Sequence, residues 1–145
     1  MKVRATAVLV EDGRILLVEQ RVNESRGWSL PGGTLEEGEM LGACLARELV
    51  EETGLHVVVD RLLYVCDRIA QGRHVLHITF AVRRAGGSLQ VGHEPEAGAN
   101  PIKSVQMAPV ASLGAYGFSP RFCELAAAGF PDGGTYRGDI ANIGL

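Results

Sequence analysis

Glu48, Glu51 and Glu52 stand at separations of three and four residues. On a helix such residues share one side, so Glu48 sits over both Glu51 and Glu52 and three carboxylates converge. Three negative charges this close repel one another unless something positive lies among them. Two suppliers fit: Arg47, four residues before Glu51, and a divalent cation. Carboxylates on a helix face, with backbone carbonyls from a nearby Gly-rich turn, are the oxygen ligands that hard Mg²⁺ takes. Taken alone, three glutamates describe an ordinary solvated face.

The surrounding stretch changes that reading. From Gly33 to Leu55 the chain runs GTLEEGEMLGACLARELVEETGL. Gly33 is followed by five residues and Glu39, then seven residues and Arg47-Glu48-Leu49, then Glu51-Glu52 and Gly54-Leu55. This resembles the Nudix box at every specified position. The lead-in Trp28 to Gly33, WSLPGG, is similar to the family's usual approach, and an early hairpin over Ala7 to Val18 fits as well. Met107 to Leu113, MAPVASL, resembles the family segment after the last strand, with Met107 in place of an aromatic and Ala111-Ser112 in place of acids. Beyond Leu113 the resemblance is one of architecture.

The resemblance implies an α/β fold: an α/β/α sandwich with a mixed central sheet and the box as loop, helix, loop, with residues 1–145 as a single domain. It implies Mg²⁺-dependent hydrolysis of a diphosphate linkage in a nucleoside-diphosphate-linked small molecule, by water attack on phosphorus, with Mn²⁺ able to substitute. Glu48, Glu51 and Glu52 are then the catalytic and metal-binding residues, and the Gly32 or Gly33 carbonyl adds a ligand. Glu39 and Arg47 are structural, tying the helix to the loop. Glu94 and Glu96 are the candidates for an additional carboxylate from a later loop. Glu36 and Glu37 receive no role. His74 and His77 are three apart, which in a strand puts them on opposite faces, so they are no metal pair.

The competing reading is a non-catalytic nucleotide-binding sensor of the same fold. Such a module should show losses among Glu48, Glu51 and Glu52, and all three are present. Substrate markers are missing. The ADP-ribose type carries a proline about fifteen residues after the box, where this chain has Arg68-Ile69-Ala70-Gln71-Gly72. Arg4, Arg21, Arg26 and Arg73 could reach phosphate or base, and Tyr116 and Phe118 could stack on a base, although covering the core is the plainer role for both rings.

The elements that must position these residues follow from periodicity. Val3 to Val10, the turn Asp12-Gly13 and Ile15 to Val18 read as a hairpin. From Glu39 the period becomes helical: Leu41, Leu45 and Leu49 are expected to bury the side opposite the glutamates, with a stop at Gly54. Val57 to Cys66 and Val75 to Val82 are strands, joined by a polar connection from Asp67 to Arg73. Arg83 to Gly98 reads as an irregular loop with a short strand near Leu89, and Lys103 to Met107 as a further strand. Ser119-Pro120 starts a helix that Gly129 stops. The Gly-rich tail from Pro131 to Leu145 shows little periodicity, and a lid or an oligomer contact is its only suggested use.

Bulk properties bound the partners. At 145 residues the chain has the size of one ordinary domain. A net charge of −3 argues against a broad nucleic-acid-binding face. A bound metal can supply positive charge locally for a small nucleotide-like substrate. The longest apolar run near the start, Ala7 to Val10, is too short for a signal-peptide core or a membrane span. Cys44, Cys66 and Cys123 are odd in number and far apart, which points to reduced thiols in a cytoplasmic protein. A homodimer is compatible with all of this.

Overall fold

The computed structural model describes residues 1–92, 98 and 100–145. Strand β1 (Lys2–Val8) alternates its side chains, so Ala5 and Ala7 face one way and Arg4, Thr6 and Val8 the other. Its neighbours in a five-stranded mixed sheet are β5 (Gly32–Thr34), antiparallel, and β7 (Arg73–Gly87), parallel. Beyond β7 come β6 (Leu55–Ala70) and then β9 (Thr135–Asp139).

The expected Val3-to-Val18 hairpin is therefore corrected. Both sides of β1 carry buried residues, Ala5 and Ala7 on one and Val8 on the other, and such a strand belongs in a sheet interior with neighbours on both edges. The chain leaves that sheet at Leu9. Only β2 (Val10–Glu11) folds back on β3 (Arg14–Glu19), around Asp12 and Gly13, both at positive φ. β3 also pairs antiparallel with β4 (Trp28–Ser29) and β8 (Ser104–Pro109), forming a second sheet.

β6 and β7 make one long hairpin whose turn is Gln71-Gly72, at φ 53° and 72°. Two left-handed residues suit the two-residue turn that matches strand twist. The polar stretch Asp67 to Arg73 is thus strand and turn, not a loose connection. Its polar side chains pair across the ladder: His74 Nε2 lies 2.6 Å from Asp67 Oδ1, and the Tyr136 hydroxyl donates to Asp67 Oδ2. β7 likewise runs on to Gly87, through residues expected to be loop, and Leu89 lies outside any strand.

Helix α1 (Leu41–Thr53) and helix α2 (Pro120–Ala127) cover opposite faces of the five-stranded sheet. Cys44, Leu45 and Leu49 of α1 pack with Ala5, Ala7, Leu9, Leu55 and Val82. Phe122 and Ala126 of α2 pack with Val8, Tyr64 and Cys66, and with Ile15 and Leu17 of the second sheet. Ser119 caps α2, its hydroxyl accepting the Phe122 N–H at 3.2 Å. The tail is neither lid nor loose end. β9 adds to β6 in parallel, and Ile140 and Ile143 after it are buried in the α2 core. A mostly polar stretch, Thr135 to Asp139, hid a strand that needs only one edge of β6. Among the described residues, no helix is long and apolar enough to cross a membrane.

Candidate active site

β5 brings Gly32 and Gly33 against α1. Gly33 pairs with Ala5, whose side chain faces α1, and its carbonyl oxygen lies 3.9 Å from the Cys44 thiol. A Cβ on Gly33 would overlap the Glu48 carboxyl group. Only glycine therefore leaves that carboxylate its seat. A Cβ on Gly32, at φ 154°, would overlap the Ala5 carbonyl oxygen, so the neighbouring strand also demands glycine there.

Glu48 and Glu52 are 2% and 1% exposed. They lie on the packed side of α1 beside Leu45 and Leu49, not on a solvent face opposite them. The helical period already contains this: at about 100° per residue, Glu52 falls roughly 20° from Leu45. Reading the leucines and glutamates as separate sides overlooked it. Burying carboxylates is costly without polar partners, and partners are supplied. Glu52 Oε1 accepts the Gly32 N–H at 2.9 Å. Glu48 Oε1 lies 2.8 Å from Arg47 Nη1. Glu51, on the more open side, lies 3.5 Å from the same nitrogen.

Arg47 holds the loop to the helix. Its Nε and Nη2 donate to the two carboxylate oxygens of Glu39 at 2.8 and 3.0 Å, and Nη2 also reaches the Thr34 carbonyl at 3.3 Å. Such a two-point contact is directional as well as strong. It holds the Glu39 carboxyl down at about 2, helped by the Glu36 N–H that Glu39 also accepts. The same bonds push the Arg47 guanidinium above its ordinary value. Burial, then the Glu39 charge, raises the Cys44 thiol to about 12, so Cys44 is a packed neutral thiol.

The C-terminal end of α1 is clamped. Gly54 ends it in the left-handed region, at φ 76°. The segment after β7 then crosses it: Gln90 N–H donates to the Thr53 carbonyl at 2.9 Å and Gly92 N–H to the Glu52 carbonyl at 3.0 Å. A Cβ on Gly92 would overlap the Glu51 carbonyl oxygen. Neither the Gly32 bond nor the Gly92 crossing was read from the sequence; the glycines were the available signal. Glu94 and Glu96 lie outside the described residues.

The structure brings Glu48, Glu51 and Arg47 together and sets Glu52 against Gly32. Arg47 supplies positive charge at both Glu48 and Glu51. Among the described residues no group of three His, Cys, Asp or Glu side chains is closed up at metal-binding separation. The donor set nevertheless suits a hard cation: carboxylate and carbonyl oxygens, with the Gly33 backbone fitted against Glu48. His74 and His77 fall on opposite faces of β7, as their spacing requires. Tyr116 meets Trp28 edge to face at 5.1 Å, and Phe118 is buried beneath the Arg26 guanidinium.

A family model described as NUDIX domain matches residues 1–122. An ADP-ribose pyrophosphatase of Methanocaldococcus jannaschii is 38% identical over 96 residues, covering 63% of this chain and 56% of that protein. The human 8-oxo-dGDP phosphatase NUDT18 is 38% identical over 90 residues, covering 61% of this chain and 27% of that protein. The chain thus spans between about a quarter and just over half of these curated relatives. Among solved structures, a UDP-X diphosphatase is 25% identical with a TM-score of 0.68, over 93% of this chain and 66% of that one. A hydrolase of the same domain type from Nitrosomonas europaea shares the fold, with a TM-score of 0.71 over 89% of this chain and 90% of that one at 23% identity.

Proposed function

This chain belongs to the NUDIX family, and we propose that it hydrolyses the diphosphate linkage of a nucleoside-diphosphate-linked small molecule with Mg²⁺, or Mn²⁺ in its place. The observation that carries this is the seating of Glu48 and Glu52, both buried, against Gly32 and Gly33 of β5, where no larger residue fits. A solvated helix face needs no such fit. The named activities of the relatives share the linkage: ADP-ribose, 8-oxo-dGDP and UDP conjugates all contain a diphosphate.

Glu48, Glu51 and Glu52 would hold the cation, with the Gly33 carbonyl adjoining. When bound, it neutralises the diphosphate oxygens and lowers the pKa of water. The chain's own residues do the rest. The Gly32 N–H fixes the Glu52 carboxylate, and Arg47, anchored on Glu39, fixes the side from which Glu48 is reached. A carboxylate of this group, within hydrogen-bond reach of the attacking water, takes its proton. Glu94 or Glu96 remains our candidate for a further carboxylate. We read residues 1–145 as one domain of a cytoplasmic protein, acting singly or as a homodimer; its cysteines are free thiols.

The test is a screen of purified protein against nucleoside triphosphates, nucleotide sugars, dinucleoside polyphosphates and ADP-ribose, with Mg²⁺, Mn²⁺ or chelator. Cation-dependent cleavage that Glu52→Gln abolishes supports the hydrolase. Tight binding of one compound with no turnover of any would establish a sensor instead.

A further inference from the structure

The face of the five-stranded sheet that α2 covers does not stay apolar along its length. Near Tyr64 and Val8 it is core. Toward the β6–β7 turn its positions become Thr6, Thr79, His77, Arg4, Arg68, Lys2 and Arg73. The register fixes this set: Lys2 lies opposite Val75, Arg4 opposite His77, His77 opposite Cys66, Arg68 opposite Val75 and Ala70 opposite Arg73. Directly paired residues and those two apart share a face, so Lys2, Arg4, Arg68 and Arg73 all stand on the Cys66 side. Asp67 and His74, by the same alternation, stand on the other.

The result is four permanent cations on adjoining strands of a protein whose net charge is −3. Among the described residues none of the four forms an ion pair. None of the four is the direct cross-strand partner of another, but all stand at one end of the same sheet face. The half-buried His77 ring registers the field: burial, then Arg4 and Arg68, lower its imidazolium to about 4. The patch reaches the candidate active site around an edge of the sheet: Thr6 pairs with Gly32 and Arg4 with Thr34 of the edge strand β5, whose opposite face carries Glu48. Thr79 is nearly fully buried beside Thr6, so the sheet positions between the patch and Gly32 are polar.

We propose that Arg4 and Arg68, backed by Lys2 and Arg73, form a subsite for a second anionic group, so that the substrate carries a phosphate or carboxylate beyond its diphosphate. The inference rests on the hydrolase reading and narrows its substrate class. Arg4 and Arg68 supply the forked contact that a phosphate or carboxylate accepts. His77, neutral between them, adds a hydrogen bond without a competing charge.

The test uses matched ligands that differ only in the remote charge: NADPH against NADH, and UDP-glucuronate against UDP-glucose. Binding is measured in chelator by titration calorimetry, so turnover plays no part. In at least one pair the anionic member should bind tenfold or more tighter, and that preference should fade in 0.5 M salt. Arg4→Gln/Arg68→Gln should reduce it to twofold or less while the neutral member's affinity stays within about threefold. Lys2→Gln/Arg73→Gln, on exposed positions, should halve the preference and serves if the first variant folds poorly. Equal binding within both pairs, no binding of either anionic member at millimolar concentration, or a preference that survives both variants would overturn the subsite. Cation-dependent cleavage of a neutral member by the wild type would still uphold the hydrolase.

Discussion

The Glu52 carboxylate accepts the backbone N–H of Gly32, twenty residues earlier, at 2.9 Å inside the protein. A side chain proposed to bind a cation is therefore also a support of the turn. Glu52→Gln keeps an acceptor but loses the charge. We expect turnover with Mg²⁺ to fall at least 100-fold and stability to fall by about 1 kcal/mol, since bonds to charged groups exceed neutral ones by about that much. Steady-state rates and urea midpoints check the two effects separately; unchanged turnover would remove Glu52 from the site.

Gly33 and Gly32 should fail differently. Gly33→Ala places its methyl on the Glu48 side chain, which can shift, so the protein should fold but lose most of its activity. Gly32→Ala places its methyl on the Ala5 backbone, which cannot shift without opening β1 from β5. Circular dichroism and melting curves should show the second variant far less stable than the first.

The Glu39–Arg47 contact gives an acid dependence whose sign is fixed. The Glu39 carboxyl is depressed from 4.5 to about 2 in the folded protein. Its contribution is then present above pH 4.5 and is lost as pH falls toward 2. Urea unfolding at pH 5, 3.5 and 2.5 should show a steeper loss for the wild type than for Glu39→Gln, which starts less stable at pH 5. Parallel losses in the two proteins would mean that other carboxyls set the acid limit.

Removal of residues 131–145 should cost the fold itself. Ile140 and Ile143 are buried, the Tyr64 hydroxyl donates to the Pro131 carbonyl at 2.6 Å, and the Arg137 guanidinium lies over the Tyr64 ring. Losing two buried isoleucines removes several kcal/mol, at about 2–5 for each truncation to Ala. A truncated chain with native hydrogen-exchange protection in β6 would contradict this.

Much of the site was legible in the sequence because it is local. Glycine, arginine and glutamate at fixed separations within one turn and one helix fix which groups meet, and Gly54 stops α1 where expected. What escaped depends on residues far apart. The burial of Glu48 and Glu52 is set by Ala5 and Ala7 admitting the helix closely, and β1 joins the sheet because β7 pairs with it from more than seventy residues away. Short polar strands escaped for another reason. Asp67 to Arg73 and Thr135 to Asp139 satisfy their side chains on one another, as the Asp67, His74 and Tyr136 bonds show, so no apolar alternation marks them.

The placement of β1 has a consequence for how the protein is made. Lys2–Val8 is synthesised before both of its partners: one edge pairs through Arg4–Thr6 with Gly32–Thr34, and the other with Val75–Ala81. The nearer partner arrives after about thirty residues of synthesis. The farther one follows more than seventy residues later, and parallel pairing across such a span forms slowly. During the interval the glycine strand β5 rests on a strand with an open edge, which is a template for pairing with other chains. The nascent protein therefore has a defined window of vulnerability that closes only when β7 has emerged.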